Sequence, residues 1–320
     1  MEAYDAKVLT CRRTMKEGEN VNDKLRFGIV TLQNIPWEEQ VKRWQSIEAL
    51  GFDSVWVADH FVNYENPSGP WFEAWTLLAA LASQTSYIRI GGISSIPFRN
   101  PAVLARQALT VDHISKGRLD LGLGAGSSGN IDPSYRMAGI EDWPAAERVA
   151  RFREVVEIVD QCLRNRVTSY KGQYYQLENT SMAPPPVQKP RPPITIAAMG
   201  PSMLRIAVHY ADTWNTLGGE FNAPPETILE NLKRQTKLVD DHCSKIGRDQ
   251  KTLRRSLLVW GSEASTVFDS EEAFKETARR YLDVGFSEFM FFHPETAPLI
   301  SSRAFKEIAT EVIPEFRRTV

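Results

Sequence analysis

The chain has 320 residues and five histidines, and one of them, His60, follows Asp59 directly after the run Asp53-Ser54-Val55-Trp56-Val57-Ala58. A β-branched and aromatic run of this kind reads as a buried strand. It delivers a carboxylate and an imidazole to its open end. Imidazole is the side chain whose ordinary pKa suits proton transfer near neutrality, so His60 is the candidate acid or base. Asp59 either orients that ring and fixes its tautomer or caps the loop. His293 follows the late run Phe286–Phe292 in a comparable place, beside Pro294, where a turn would also account for it.

Two glycine-bearing stretches complete the chemical inventory. Gly124-x-Gly126-x-x-Gly129 matches a dinucleotide fingerprint in letters only, because Asn130-Ile131-Asp132-Pro133 does not open a helix. It reads instead as a loop whose backbone a flat ligand can approach. Met199-Gly200-Pro201-Ser202 follows a strand and opens a helix, with proline at the first helical position. Bare N–H groups there make an anion cradle suited to a phosphate. Zinc spacing, a Walker loop, a nucleophile elbow and a paired-carboxylate site are not recognisable. Hard chemistry would then come from an organic cofactor.

The elements that must hold these residues alternate strictly. Strands are expected at Leu25–Thr31, Asp53–Ala58, Ile88–Ile93, Arg118–Leu123, Ile194–Ala198, Asp212–Thr216, Arg255–Trp260 and Phe286–Phe292. Between them fall helices near 36–50, 71–83, 101–114, 147–163, 200–210, 225–246 and 271–284, with a last one near 297–316. Eight strand–helix units predict an α/β fold, a closed (β/α)8 TIM barrel. Ligands bind such a barrel at the carboxyl ends of its strands. Residues 165–193 interrupt the rhythm as a hairpin and a proline-dense connector, an insertion between the fourth barrel helix and the fifth barrel strand. Residues 1–24 read as a polar arm ahead of a single domain over 25–320.

Hydrophobic residues make up 42% of the chain and the net charge is −2, with Lys and Arg spread along it, so neither nucleic acid nor an anionic membrane is expected as a partner. The three cysteines, Cys11, Cys162 and Cys243, suggest no disulfide framework. With no apolar leader and no long apolar run, a soluble cytoplasmic protein is expected.

Five stretches together resemble the luciferase-like monooxygenase superfamily, the bacterial-luciferase type of flavin- or deazaflavin-dependent barrel. They are Gly51–Phe61, Phe98–Ala105, Gly117–Gly126, Arg148–Glu154 and Tyr210–Asn215, and in order they span essentially residues 25–317. The resemblance implies a planar ring at the carboxyl mouth, backed by a bulge, often a non-proline cis peptide, within Gly92–Ser95. It implies cofactor contacts at Ile93, Ser94, Ser95, Asn100, Gly126, Ser127, Ala198, Met199, Gly200 and Ser202. Trp71, Trp214, Trp260 and His293 would line the substrate side and favour an apolar or aromatic moiety. The Asp59-His60 pair resembles the branch that uses coenzyme F420, with hydride transfer to or from a small organic substrate and His60 handling the proton. Members of that branch acting on sugar phosphates carry a glutamate after strand four, where this chain has Ser127-Ser128-Gly129. One alternative is an FMN two-component monooxygenase using O2 and a separate reductase. Another is a flavin-binding barrel without activity. The resemblance also implies a homodimer.

Overall fold

A computed structural model describes residues 25–127, 129, 131–220, 223–292, 300 and 302–320. Ten strands are described: β1 Arg26–Thr31, β2 Ser54–Asp59, β3 Arg89–Ser95, β4 Leu119–Gly124, β5 Val167–Lys171, β6 Gln176–Ser181, β7 Ile194–Ala197, β8 Thr213–Thr216, β9 Arg254–Val259 and β10 Glu288–Phe292. Eight of them close in the order β1-β10-β9-β8-β7-β4-β3-β2, all neighbours parallel, while β5 and β6 form a separate antiparallel pair. The expected barrel and its insertion are therefore present. The amino-terminal arm and His293 lie outside the described residues.

Helices cover the barrel as α1 Trp37–Ala49, α2 Ala74–Gln84, α3 Pro101–Ile114, α4 Ser134–Met137, α5 Ala145–Arg164, α6 Pro201–Tyr210, α7 Pro225–Ile246, α8 Gly261–Thr266 and α9 Glu271–Leu282. A carboxyl-terminal helix runs from Arg303 to Thr319 through a π-helical turn at Ile308–Val312. The helix expected near 71–83 starts later, at Ala74, because the Glu73 carboxylate accepts the amides of Trp75 and Thr76 at 3.1 and 2.7 Å and sets the cap there. Trp71 is thereby left in the loop above the barrel.

Strand alternation sorts the side chains. Val30, Trp56, Met290 and Phe292, with Leu32, Ile93, Leu258 and Trp260 against them, form an apolar cluster inside the upper barrel. Gly91 makes room for it: a Cβ there would stand 2.6 Å from the Trp56 ring. The amino ends hold charge instead, with Arg89–Asp120 at 2.6 Å and Glu288 between Arg26 and Arg254 at 3.6 and 3.8 Å. Outward-facing residues build the larger core against the helices. Trp214 belongs to that outer set, one residue out of phase with the inward Asn215. It is fully buried, packs on Phe286 and donates to the Ala198 carbonyl at 2.9 Å. This corrects its expected place at the mouth.

Buried carboxylates tie the insertion down. Glu154 on α5 accepts the amides of Gln173, Tyr174 and Tyr175 at 2.7, 3.0 and 3.1 Å. Asp112 on α3 accepts those of Val187 and Gln188 at 2.7 and 3.2 Å.

Candidate active site

His60 stands at the carboxyl mouth, one residue beyond β2, with its ring about a quarter exposed. Its partner is not Asp59. Nδ1 lies 2.6 Å from Oδ2 of Asp132, a nearly buried carboxylate 72 residues further along in the loop after β4. Asp132 is itself fixed, since its Oδ1 accepts the Ser134 amide at 2.9 Å. The Ser134 hydroxyl in turn accepts the amides of Phe61 and Val62 at 3.2 and 3.3 Å. Trp71 clamps the same turn from the other side, its Nε1 donating to the His60 carbonyl at 2.9 Å. Two rim loops are stitched together around one imidazole.

The charge state follows from these contacts. Burial alone would raise the Asp132 carboxyl, but the hydrogen bonds from His60 and Ser134 outweigh it and hold the group below the usual carboxylate range. Asp132 is ionised at neutral pH and can only accept, so Nδ1 of His60 carries the shared proton. A neutral His60 then has its lone pair on Nε2, which has no hydrogen bond among the described residues. Tyr64 stands edge-on to the imidazole, ring centres 5.6 Å apart, and burial with the nearby Glu65 and Asp132 carboxylates pushes its phenol up to about 12.

Asp59 turns the other way. By strand parity it points outward, where its carboxylate meets the Arg99 guanidinium at 2.7 Å, and Arg99 also reaches Glu73 at 2.6 Å. Burial pushes the Asp59 carboxyl up to about 6, with Arg99 opposing. Asp59 as the group that orients His60 is thus corrected: it anchors Arg99 between the end of β2 and the start of α2. Ser94 is likewise outward, nearly buried, and accepts Trp75 Nε1 at 3.0 Å. Asn100 spends its side-chain oxygen capping α3, on the amides of Ala102 and Val103 at 3.0 and 3.3 Å. Ala198 is buried and bonded through its backbone to β8. These residues shape the site from behind.

The expected bulge at Gly92–Ser95 is not formed. β3 pairs without interruption from Arg89 to Ser94 against β2 and on to Ser95 against β4. The cis peptide bonds among the described residues are Ala183–Pro184 and Lys189–Pro190, both in the insertion. Ile93 points inward among Trp56, Leu258, Trp260 and Phe292, and the Trp260 and Phe292 rings lie stacked with centres 3.6 Å apart. This is a flat apolar floor beneath the mouth. Gly126 has φ +79°, and a Cβ on it would fall 2.2 Å from the Tyr135 hydroxyl, so its glycine serves the turn and that ring. Ser127 follows it, half-buried.

Past the carboxyl ends of β7 and β8, Met199, Gly200 and Pro201 form one wall of a cleft of about 730 Å³ whose other wall includes Gly219, Glu220, Asn231, Arg234 and Leu238. The α6 N-terminus opens into it with no capping side chain on Gly200, leaving the amides of Ser202 and Met203 available. A Cβ on Gly200 would meet nothing within 4 Å, so the space above it is open. An uncapped helix start facing an open cleft with a guanidinium across it suits a phosphate.

Of the residues around His60, sequence reasoning missed Asp132, Tyr64 and Arg99. Asp132-Pro133-Ser134 carried a signal, an aspartate and a serine at cap spacing before a short helix, in the loop where an acid was wanted.

Comparison with known proteins matches this architecture. One relative, an F420-dependent glucose-6-phosphate dehydrogenase of Amycolatopsis mediterranei, is 35% identical over 178 residues, 54% of this chain and 51% of that protein. Another, the oxygenase component of a flavin-dependent trigonelline monooxygenase of Acinetobacter baylyi, is 29% identical over 174 residues, 54% of this chain and 46% of its own. The chain thus spans about half the length of these curated relatives. A solved F420-dependent secondary alcohol dehydrogenase, in complex with an F420-acetone adduct, superposes with a TM-score of 0.76 at 19% identity over 92% of this chain and 99% of that one, which shows a shared fold. The luciferase-like monooxygenase family model matches residues 22–304, and the chain belongs to that family.

Proposed function

We propose that the chain is a coenzyme F420-dependent oxidoreductase that moves a hydride to or from a small organic hydroxyl or carbonyl compound. The observation that carries this reading is the His60–Asp132 pair, a proton-handling group with a defined tautomer at the barrel mouth. The residues present fit the cofactor. Ile93, Trp260 and Phe292 offer a flat apolar bed, and the Ser202 and Met203 amides with Arg234 offer an anion site at the carboxyl ends of β7 and β8 on the same face of the barrel. When bound, the deazaflavin would supply or accept the hydride. Asp132 holds the His60 proton on Nδ1, and Nε2 takes the substrate hydroxyl proton during oxidation or returns it during carbonyl reduction. Trp71 keeps the His60 backbone in place, and Asp59 with Arg99 keeps the end of β2 in place.

A second reading, a two-component monooxygenase using reduced FMN, O2 and a separate reductase, is favoured by the same anion site, since FMN ends in a phosphate. A flavin-binding barrel without activity gives no reason for a nearly buried carboxylate held against a mouth imidazole. The F420 reading keeps the homodimer that the resemblance implies and the cytoplasmic setting read from the cysteines. Titrating the protein with F420 and with FMN, following cofactor fluorescence, separates the first two readings. F420 binding without O2 uptake in the presence of reduced FMN is expected. FMN binding with O2 uptake and no F420 binding would overturn the proposal.

A further inference from the structure

Cations continue beyond the phosphate cleft. On α6, Ser202, Arg205 and His209 follow at spacings of three and four residues, and on α7 Arg234, Leu238, His242 and Lys245 do the same, so each set shares one helix face. The two helices pack side by side on the barrel wall. Gly200, Pro201, Arg234 and Leu238 line the cleft, which places Arg205, His209, His242 and Lys245 one to three turns further down the same groove. Arg205, His209, Arg234 and Lys245 are exposed, and His242 is half-buried.

These groups are not spent on acids. Arg205 donates to the Ser202 hydroxyl at 3.0 Å and Arg234 to the Asn231 side-chain oxygen at 2.9 Å, both neutral partners. Nε2 of His242 is buried without a partner among the described residues. Burial, with the cations of Lys245, Arg205 and His209, holds the His242 imidazole below the ordinary histidine range although Asp241 stands by. Glu220 at the cleft and Asp241 beside His242 are acids facing the groove, and Arg205, Arg234 and Lys245 outnumber them, so the groove carries net positive charge. It leads away from the cradle for about 10 Å along α6, at the usual rise per helical residue. FMN ends at its phosphate and has nothing to place there. Coenzyme F420 continues past its phosphate as a lactyl group and a chain of γ-linked glutamates, each with a free carboxylate.

We propose that the α6–α7 groove seats the acidic tail of the deazaflavin cofactor, with Arg205 and Lys245 as its main cationic contacts and Arg234 bridging from the phosphate site. This rests on the F420 reading and would give the chain a preference for that cofactor over FMN. The test is equilibrium binding by fluorescence anisotropy on the full chain. Three ligands are compared: F420 with several glutamates, its phospholactyl form with none, and FMN, with parent protein and an Arg205→Ser/Lys245→Ser variant. Both substituted side chains are exposed, and circular dichroism checks that the fold is kept. The tailed form should bind roughly tenfold more tightly than the tailless form at low salt, the scale of a few exposed ion pairs acting together. High salt or the double substitution should abolish that difference while changing tailless binding by less than about twofold. Equal affinity for the tailed and tailless forms in the parent, or a difference that survives the double substitution, would overturn the tail site and leave the F420 reading standing. FMN binding without binding of either deazaflavin form would overturn both.

Discussion

Replacing Asp132 by asparagine tests the chemistry most directly, because it removes one charge and almost no volume. In the parent, a 2.6 Å contact to a carboxylate with 2% of its side chain exposed keeps the proton on His60 Nδ1. Hydrogen bonds to charged groups contribute roughly 1.5–3 kcal/mol. That corresponds to a tautomer preference on the order of ten- to a hundredfold. Asparagine can turn its NH2 toward Nδ1, which then accepts, and the proton moves to Nε2, where the lone pair is needed. The expected loss in kcat/KM is about a hundred- to a thousandfold, from the wrong tautomer and a ring no longer held in place. Cofactor affinity should hardly change. Nitrogen-15 NMR of labelled histidine reads the tautomer without any substrate. The parent should show the Nδ1–H form for neutral His60, and the Asp132→Asn protein a mixture or the Nε2–H form. A parent already in the Nε2–H form, or a variant with more than a third of the parental kcat/KM, would refute the assignment.

Two further substitutions test the frame around that pair. The Asp59 carboxyl is pushed up from 3.8 to about 6, so the folded state holds its proton more tightly than the unfolded chain. Its stabilising contribution is complete below the unfolded value and is lost as pH rises through the folded one, by up to about 3 kcal/mol. Asp59→Asn should therefore gain on the parent in urea midpoint between about pH 4 and pH 7; parallel pH profiles for the two proteins would count against it. Its kcat/KM should fall less than that of Asp132→Asn, because Asp59 holds Arg99 and not His60. Glu154→Gln leaves only one oxygen for three backbone amides. The expected cost is about 2–3 kcal/mol, seen as a lower Tm and protease cutting first within 165–193, whereas an unchanged Tm would show that other contacts hold the hairpin.

The same residues explain what the sequence could and could not disclose. The stretches that carried the resemblance are largely scaffold. Asp53 accepts the Phe27 amide at 2.8 Å and pairs with Arg317, and Asp212 accepts the Ile194 amide at 2.7 Å. Arg118 gathers the Ala82 and Ile88 carbonyls at 2.7 and 2.8 Å. Each joins a helix end or a neighbouring strand at an αβ junction, on the amino-end face of the barrel away from the mouth, so a chain that needs this barrel needs these groups near these positions, and local spacing displays them. Contacts at the mouth obey no such spacing. Asp59 adjoins His60 in the chain, yet alternation along β2 sends the two side chains to opposite sides. Asp132 lies 72 residues away and reaches the ring because β4 sits two strands over and its loop folds back. Trp214 shows the same rule from the other side: one step of parity separates a ring in the mouth from a ring in the outer core. The histidine was legible because it stands where an apolar strand runs out. Its partner depends on where two rim loops meet, and that is decided by the closed barrel as a whole.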